Sequence, residues 1–155
     1  MIIRKHLTLG LLILAVMLLV ACGAKIVRGA APIVRMNDLS HDGETITLLL
    51  SMRNINGVEL VVQRIDFSLS VENETLFTYN GPVDTTIVAN GTETWSVDVE
   101  ESEASEKLLD SLQQGEVKSL PYSLEGTVHS VEDGKLHFLH EGHIYPVPGR
   151  PGHFR

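Results

Sequence analysis

The chain has a single cysteine, Cys22, among its 155 residues. No internal disulfide can form, so any folded domain must be held by its core, even in a compartment that permits disulfides. Basic residues are also scarce. Lys and Arg number 12 against 20 Asp and Glu, and two of the 12, Arg4 and Lys5, fall in the first 21 residues. Nucleic acid rewards Lys and Arg along its phosphates, so this balance excludes nucleic-acid binding. The chain contains no Gly-x-Ser-x-Gly elbow. No serine sits in a glycine-rich strand-to-helix turn, and the paired carboxylates Glu100-Glu101 and Glu132-Asp133 fall at strand ends and turns. These absences point away from an enzyme. No cofactor and no small-molecule substrate are expected. After residue 20 there is no second long apolar run, so nothing further along would cross a bilayer as a helix.

What is present begins at the N-terminus. Arg4, Lys5 and His6 precede an apolar stretch, Leu7 to Val20, broken only by Thr8 and Gly10. A positive start, a short apolar region and small residues at a cut describe a secretory signal, and the stretch is short for a membrane span of about 20 residues. Leu19, Val20, Ala21 and Cys22 resemble the bacterial lipobox. That resemblance implies cleavage after Ala21 and a diacylglycerol on the Cys22 thiol. The domains expected are a signal peptide at 1–21, a lipidated tether at 22–31 and a folded domain at 32–155. The membrane is then a partner through the lipid, and two or more acyl chains give stable anchoring where one is marginal. Gly23 follows the cysteine instead of Asp, which by resemblance to sorting patterns places the protein in the cell envelope, on the periplasmic face of the outer membrane.

Beyond residue 31 the chain alternates. Ile46, Leu48, Leu50 and Met52 repeat every second residue, as do Ile65, Phe67, Leu69 and Val71, and then Trp95, Val97 and Val99. Tyr122, Leu124 and Val128 share a face with Gly126, and Leu136 and Phe138 another. A period of two marks half-buried strands. Asp42-Gly43, Asn56-Gly57, Asn80-Gly81-Pro82, Asn90-Gly91 and Asp133-Gly134 supply the turns. One segment has helical spacing: Ala104, Leu108, Leu109 and Leu112, with Ser102 or Ser105 to cap its start and Gly115 to end it. The pattern predicts an all-β, antiparallel sandwich with one short helix over about 103–114 laid across an end or edge.

The order of these segments, with Asn54-Ile55-Asn56 after the second strand, resembles the late-embryogenesis-abundant type 2 proteins, or water-stress and hypersensitive-response (WHy) domain, in bacterial lipoprotein form. The family motif there is Asn-Pro-Asn; this chain keeps both asparagines and has Ile55 between them. Asn side chains in such a loop bond nearby backbone and permit a change of direction. The resemblance implies an immunoglobulin/fibronectin-III-like sandwich with a helix between late strands, no enzymatic activity, and protection of client proteins or membrane surfaces under desiccation or other stress. The alternative function is an envelope adaptor that takes a partner protein on a sheet edge or loop, followed in third place by a surface metal-binding protein.

Five of the seven histidines lie at or after residue 129. No compact metal motif is formed, so no metal site is expected; the weak candidates are His129 and His137, placed four residues to either side of Asp133 in the Asp133-Gly134 turn and expected to face each other across a hairpin. Trp95 reads as a core anchor. Asn73-Glu74-Thr75 and Asn90-Gly91-Thr92 match glycosylation sequons but read as turns. The tail, rich in Pro-Gly steps, ends in Phe154-Arg155, and an apolar ring at that position is expected to fold back onto the domain.

Overall fold

The alternating runs all become strands. A computed structural model of the chain describes residues 27–155; the leader, the cleavage residues Leu19, Val20 and Ala21, and Cys22 lie outside the described residues. The elements are β1 (Ile33–His41), β2 (Thr45–Arg53), β3 (Leu60–Val71), β4 (Glu74–Ile87), β5 (Thr92–Glu100), α1 (Glu103–Gln113), β6 (Leu120–Ser130), β7 (Gly134–Ile144) and β8 (His153–Phe154).

They form two antiparallel four-stranded sheets, ordered β5-β2-β1-β8 and β4-β3-β6-β7. Face to face, these make the expected immunoglobulin/fibronectin-III-like sandwich. The inner faces supply the core. In β2 the alternation is strict: Ile46, Leu48, Leu50 and Met52 are buried, while Leu49 sits exposed among the polar residues between them. From the other sheet come Ile65, Leu69, Leu124, Val128 and Ile144, each without exposed surface. Trp95 is half-buried against this core, paired in register with Leu50.

The helix begins where its cap dictates. Ser102 Oγ accepts the Ser105 backbone N–H at 3.2 Å, and Ser105 Oγ accepts the Ser102 N–H at 2.9 Å. This is a reciprocal capping box with serine in the position usual for Glu or Gln. Glu103 and Glu106 complement the N-terminal dipole. Leu109 and Leu112 are the buried stripe, and Gly115, at φ 77°, follows the last turn.

Two turn expectations are corrected. Asn80-Gly81-Pro82 is not a turn: β4 runs through it, with a register shift opposite β3 between Val62 and Arg64. Proline is tolerated because β4 is an edge strand, so its missing N–H breaks no ladder on the free side. The β6–β7 hairpin has a three-residue loop, 131–133, not two turn residues. Ser130 pairs with Gly134, which takes φ 72° as the first residue of β7. A glycine in the left-handed region at the close of a three-residue loop is a standard hairpin solution.

The tail does fold back. Phe154 is fully buried, pairs with Leu39 as part of β8, and bridges to Pro146. Gly152 donates to Gln113 Oε1 on α1 at 3.0 Å, so helix and tail are tied together. The sandwich thus has two unlike ends. Turn 42–44, turn 72–73, α1 and the tail close one of them. The other is formed by the lead into β1, the β2–β3 loop, the β4–β5 turn and the β6–β7 loop.

Candidate functional site

Asn54 and Asn56 stand at that second end, where β2 stops. Both are buried, at 0% and 1% exposure, and both are fully used. Asn54 Nδ2 lies at 2.7, 3.1 and 3.2 Å from the carbonyls of Val58, Ile87 and Val88. Its Oδ1 accepts the Asn56 backbone N–H at 2.9 Å and the Asn56 side-chain amide at 3.0 Å. Asn56 in turn pairs with the Ala30 backbone, donating Nδ2 to the carbonyl at 2.9 Å and accepting the N–H on Oδ1 at 2.9 Å. Backbone bonds complete the set: Asn54 N–H to Gly91 O, Asn90 N–H to Asn56 O, and Gly57 N–H to Val27 O. Two amides therefore stitch the lead segment, the β2–β3 loop and the β4–β5 turn into one unit. Buried amides are costly unless every donor and acceptor is met, and here they are. Ile55, between them, points outward at 38% exposure. Residues 27–31, in the span expected as tether, are engaged at this loop through Val27 and Ala30.

The histidines fall elsewhere. His129 faces Lys135 in register and His137 faces Thr127, because the loop is centred on Glu132 and not on Asp133; the two histidines are diagonal neighbours, not opposite partners. His129 Nε2 lies 2.6 Å from Asp66 Oδ2 on β3, and Arg64 Nη2 lies 3.0 Å from the other carboxylate oxygen. Arg64 also bonds Asn80 across the β3–β4 pair. Desolvation pulls the Asp66 carboxyl upward, but hydrogen bonds from His129 and Arg64, with their positive charge, outweigh it and hold it below its ordinary value of 3.8. His137 Nδ1 is 3.0 Å from Thr127 Oγ1. Among the described residues no group of three or more His, Cys, Asp or Glu is placed to hold a metal ion.

Beside these residues runs a shallow open groove of about 680 Å³ across all four strands of the β4-β3-β6-β7 sheet, lined by Asp66, Ser68, Tyr79, Glu125, Gly126 and His137 among others. Gly126 shapes it. A Cβ there would collide with the Asp66 carbonyl and lie 2.7 Å from Phe67 Cβ, so glycine permits the close approach of β6 to β3. The break in the β6 alternation, a glycine at an inward position, was the sequence signal for this feature.

Two further clusters carry no short-range sequence signal. His140 faces inward from β7, its ring 6.0 Å from that of Tyr122. Burial pushes the Tyr122 hydroxyl up, against the opposing charge of Arg35, and burial together with that charge pushes His140 down from 6.5. Under the tail, His41 Nδ1 and Glu101 Oε1 lie 3.1 Å apart with side chains 10% and 2% exposed, oriented too poorly to form a hydrogen bond. The His41 ring packs 5.6 Å from that of Phe154.

No protein-family model and no curated protein matches the chain. Solved structures do. A protein from Arabidopsis thaliana, determined in solution, is similar over 84% of this chain and 95% of its own, with a TM-score of 0.51 and 11% identity. That likeness is one of fold, and the class is a two-sheet antiparallel β-sandwich. The structural neighbours also include a protein provisionally described as late embryogenesis abundant, over 74% of this chain and 71% of its own, TM-score 0.45 and 16% identity. A crystal structure of an Archaeoglobus fulgidus protein covers 76% of this chain and 96% of that one, at TM-score 0.42 and 14% identity.

Proposed function

We propose that this is a non-enzymatic, lipid-anchored envelope protein of the late-embryogenesis-abundant type 2 (WHy) kind, which protects proteins or membrane surfaces through weak contacts during desiccation or related stress. The carrying observation is the Asn54–Asn56 network. The two asparagines that this chain shares with the family motif are interior groups that organise an entire end of the sandwich. Lipid on Cys22, after cleavage beyond Ala21, would hold the acidic domain at the membrane of the cell envelope, on the periplasmic face of the outer membrane. The grip on clients is physical, through a hydrated surface rich in carboxylates, with no bond made or broken. Drying a labile test enzyme with and without the purified protein tests this. Recovery of activity well above that with an equal mass of albumin, unaffected by chelator, is expected; recovery no better than albumin contradicts it.

A second reading, an adaptor that binds a partner by strand addition, is favoured by β7. It is an edge strand of 11 residues without proline, and Leu139 on it is 61% exposed. A stoichiometric partner, captured by crosslinking in intact cells and lost on Leu139→Lys, would decide for it.

A further inference from the structure

The two ends of the sandwich differ in polarity as well as in construction. The loop end exposes aliphatic side chains: Val88 at 65%, Val131 at 56%, Val27 at 48% and Ile55 at 38%. Single exposed aliphatics are ordinary on a protein surface. These four are brought to one place by backbone bonds that join Gly57 to Val27, Asn90 to Asn56 and Val131 to Val61. A shallow depression lined by Arg28, Val58, Val88 and Glu132 touches all four contributing segments.

Charge divides the same way. Around the loop end Arg28, Arg53 and Lys135 stand against Glu59, Glu93, Glu132 and Asp133, close to balance. The opposite end carries Asp42, Glu44, Glu72, Glu103, Glu106 and Asp110 on its turns and helix against Lys107 on the helix and Arg150 and Arg155 on the tail, an acidic excess. Next to anionic headgroups, an acidic end is repelled and a near-neutral apolar end is not.

The chain's own geometry selects the occupant. Val27 lies only five residues beyond Cys22. At about 3.6 Å per residue at most, they reach about 18 Å. A lipid on Cys22 therefore keeps Val27, and the loops bonded to it, within that distance of the bilayer. Resting on that proposed attachment, we infer that the end bearing Val27, Ile55, Val88 and Val131 seats on the phospholipid surface, with the acidic helix end turned to the aqueous space. The Asn54–Asn56 network then has a mechanical sense: it makes the lead and the loops one rigid foot, so that the anchor orients the domain instead of merely retaining it.

The test uses the full-length, lipidated protein in vesicles of phosphatidylethanolamine and phosphatidylglycerol. With the native thiol acylated, a second cysteine is introduced for a fluorophore, as Val88→Cys or Val131→Cys at the loop end and Glu44→Cys or Glu103→Cys at the far end. Quenching by lipids carrying a nitroxide headgroup is then compared. The expected result is several-fold stronger quenching at positions 88 and 131 than at 44 and 103, reduced at 88 by an added Val131→Asp while the protein still floats with the vesicles. Equal quenching at both ends in protein that floats overturns the seating and leaves the anchor standing. Protein that does not float overturns the anchor, and the seating with it.

Discussion

The side-chain carbonyl of Asn54 accepts two donors from Asn56, one from its backbone at 2.9 Å and one from its side-chain amide at 3.0 Å. Neither asparagine reaches solvent. The pair is therefore judged not by the bonds it makes but by what its removal would strand. Asn54→Ala leaves the amide of Asn56 and the carbonyls of Val58, Ile87 and Val88 without this partner, in a site where the Ile87 and Asn56 groups are buried. The expected loss is about 2–4 kcal/mol, the sum of a few net bonds and one or two unmet groups. Asn54→Asp is expected to be worse, because a carboxylate would face three carbonyls. Urea unfolding monitored by Trp95 fluorescence measures both; a loss for Asn54→Ala below about 0.5 kcal/mol, the scale of a neutral surface change, would show that the network is dispensable.

The tail is structural. Phe154 fills a pocket between Leu39 and the His41 ring and has no exposed surface. Phe154→Ala is expected to cost about 3–5 kcal/mol, the range for a buried phenylalanine. Deleting residues 150–155 removes the same ring together with the Gly152–Gln113 bond that ties the tail to α1. Calorimetry should find both variants melting well below the parent chain, and an unchanged melting temperature in either would exclude docking of the tail.

His140 gives the fold a pH dependence of known sign. Burial, with the nearby Arg35, holds its folded pKa below 6.5. Above that value the ring is neutral in both states and contributes nothing. As pH falls from about 6.5 through the lowered folded value, the unfolded chain binds a proton that the folded chain resists, so stability declines. Below the folded value the contribution is constant. His140→Gln is expected to remove this segment of the profile. Denaturation of both proteins at pH 7.5 and 5.5 checks it: the parent should lose more stability than the variant, and parallel losses would contradict the assignment.

Most of the architecture was legible in the sequence because its cause is local. Strict alternation in β2, β3 and β5 marks inward faces, and Ser102 with Gly115 brackets α1 within one residue of its expected end. Errors arose where a local signal was overruled by neighbours. Asn80-Gly81-Pro82 has every mark of a turn, yet pairing with β3 carries the strand through, and only the edge position makes that tolerable. His129 and His137 were misregistered by a single loop residue, which shifts the pairing although both remain on one face. Of the candidate site, the asparagines were visible as a motif, but their partners were not. Ala30 lies 26 residues away from Asn56, and Ile87 lies 33 from Asn54. The Asp66–His129 contact spans 63 residues. No periodicity encodes such pairs; they follow from which strands become neighbours in a sheet and from how the two sheets stack.

The central claim is that a lipid-bearing Cys22 begins the mature chain and holds the sandwich at a membrane. Mass spectrometry of the protein extracted from its native envelope tests this most directly. The expected N-terminal peptide starts at Cys22 and carries the mass of a diacylglycerol on sulfur, with or without a further acyl group on nitrogen. An unmodified Cys22, or a mature N-terminus at another residue without acyl chains, would contradict the account.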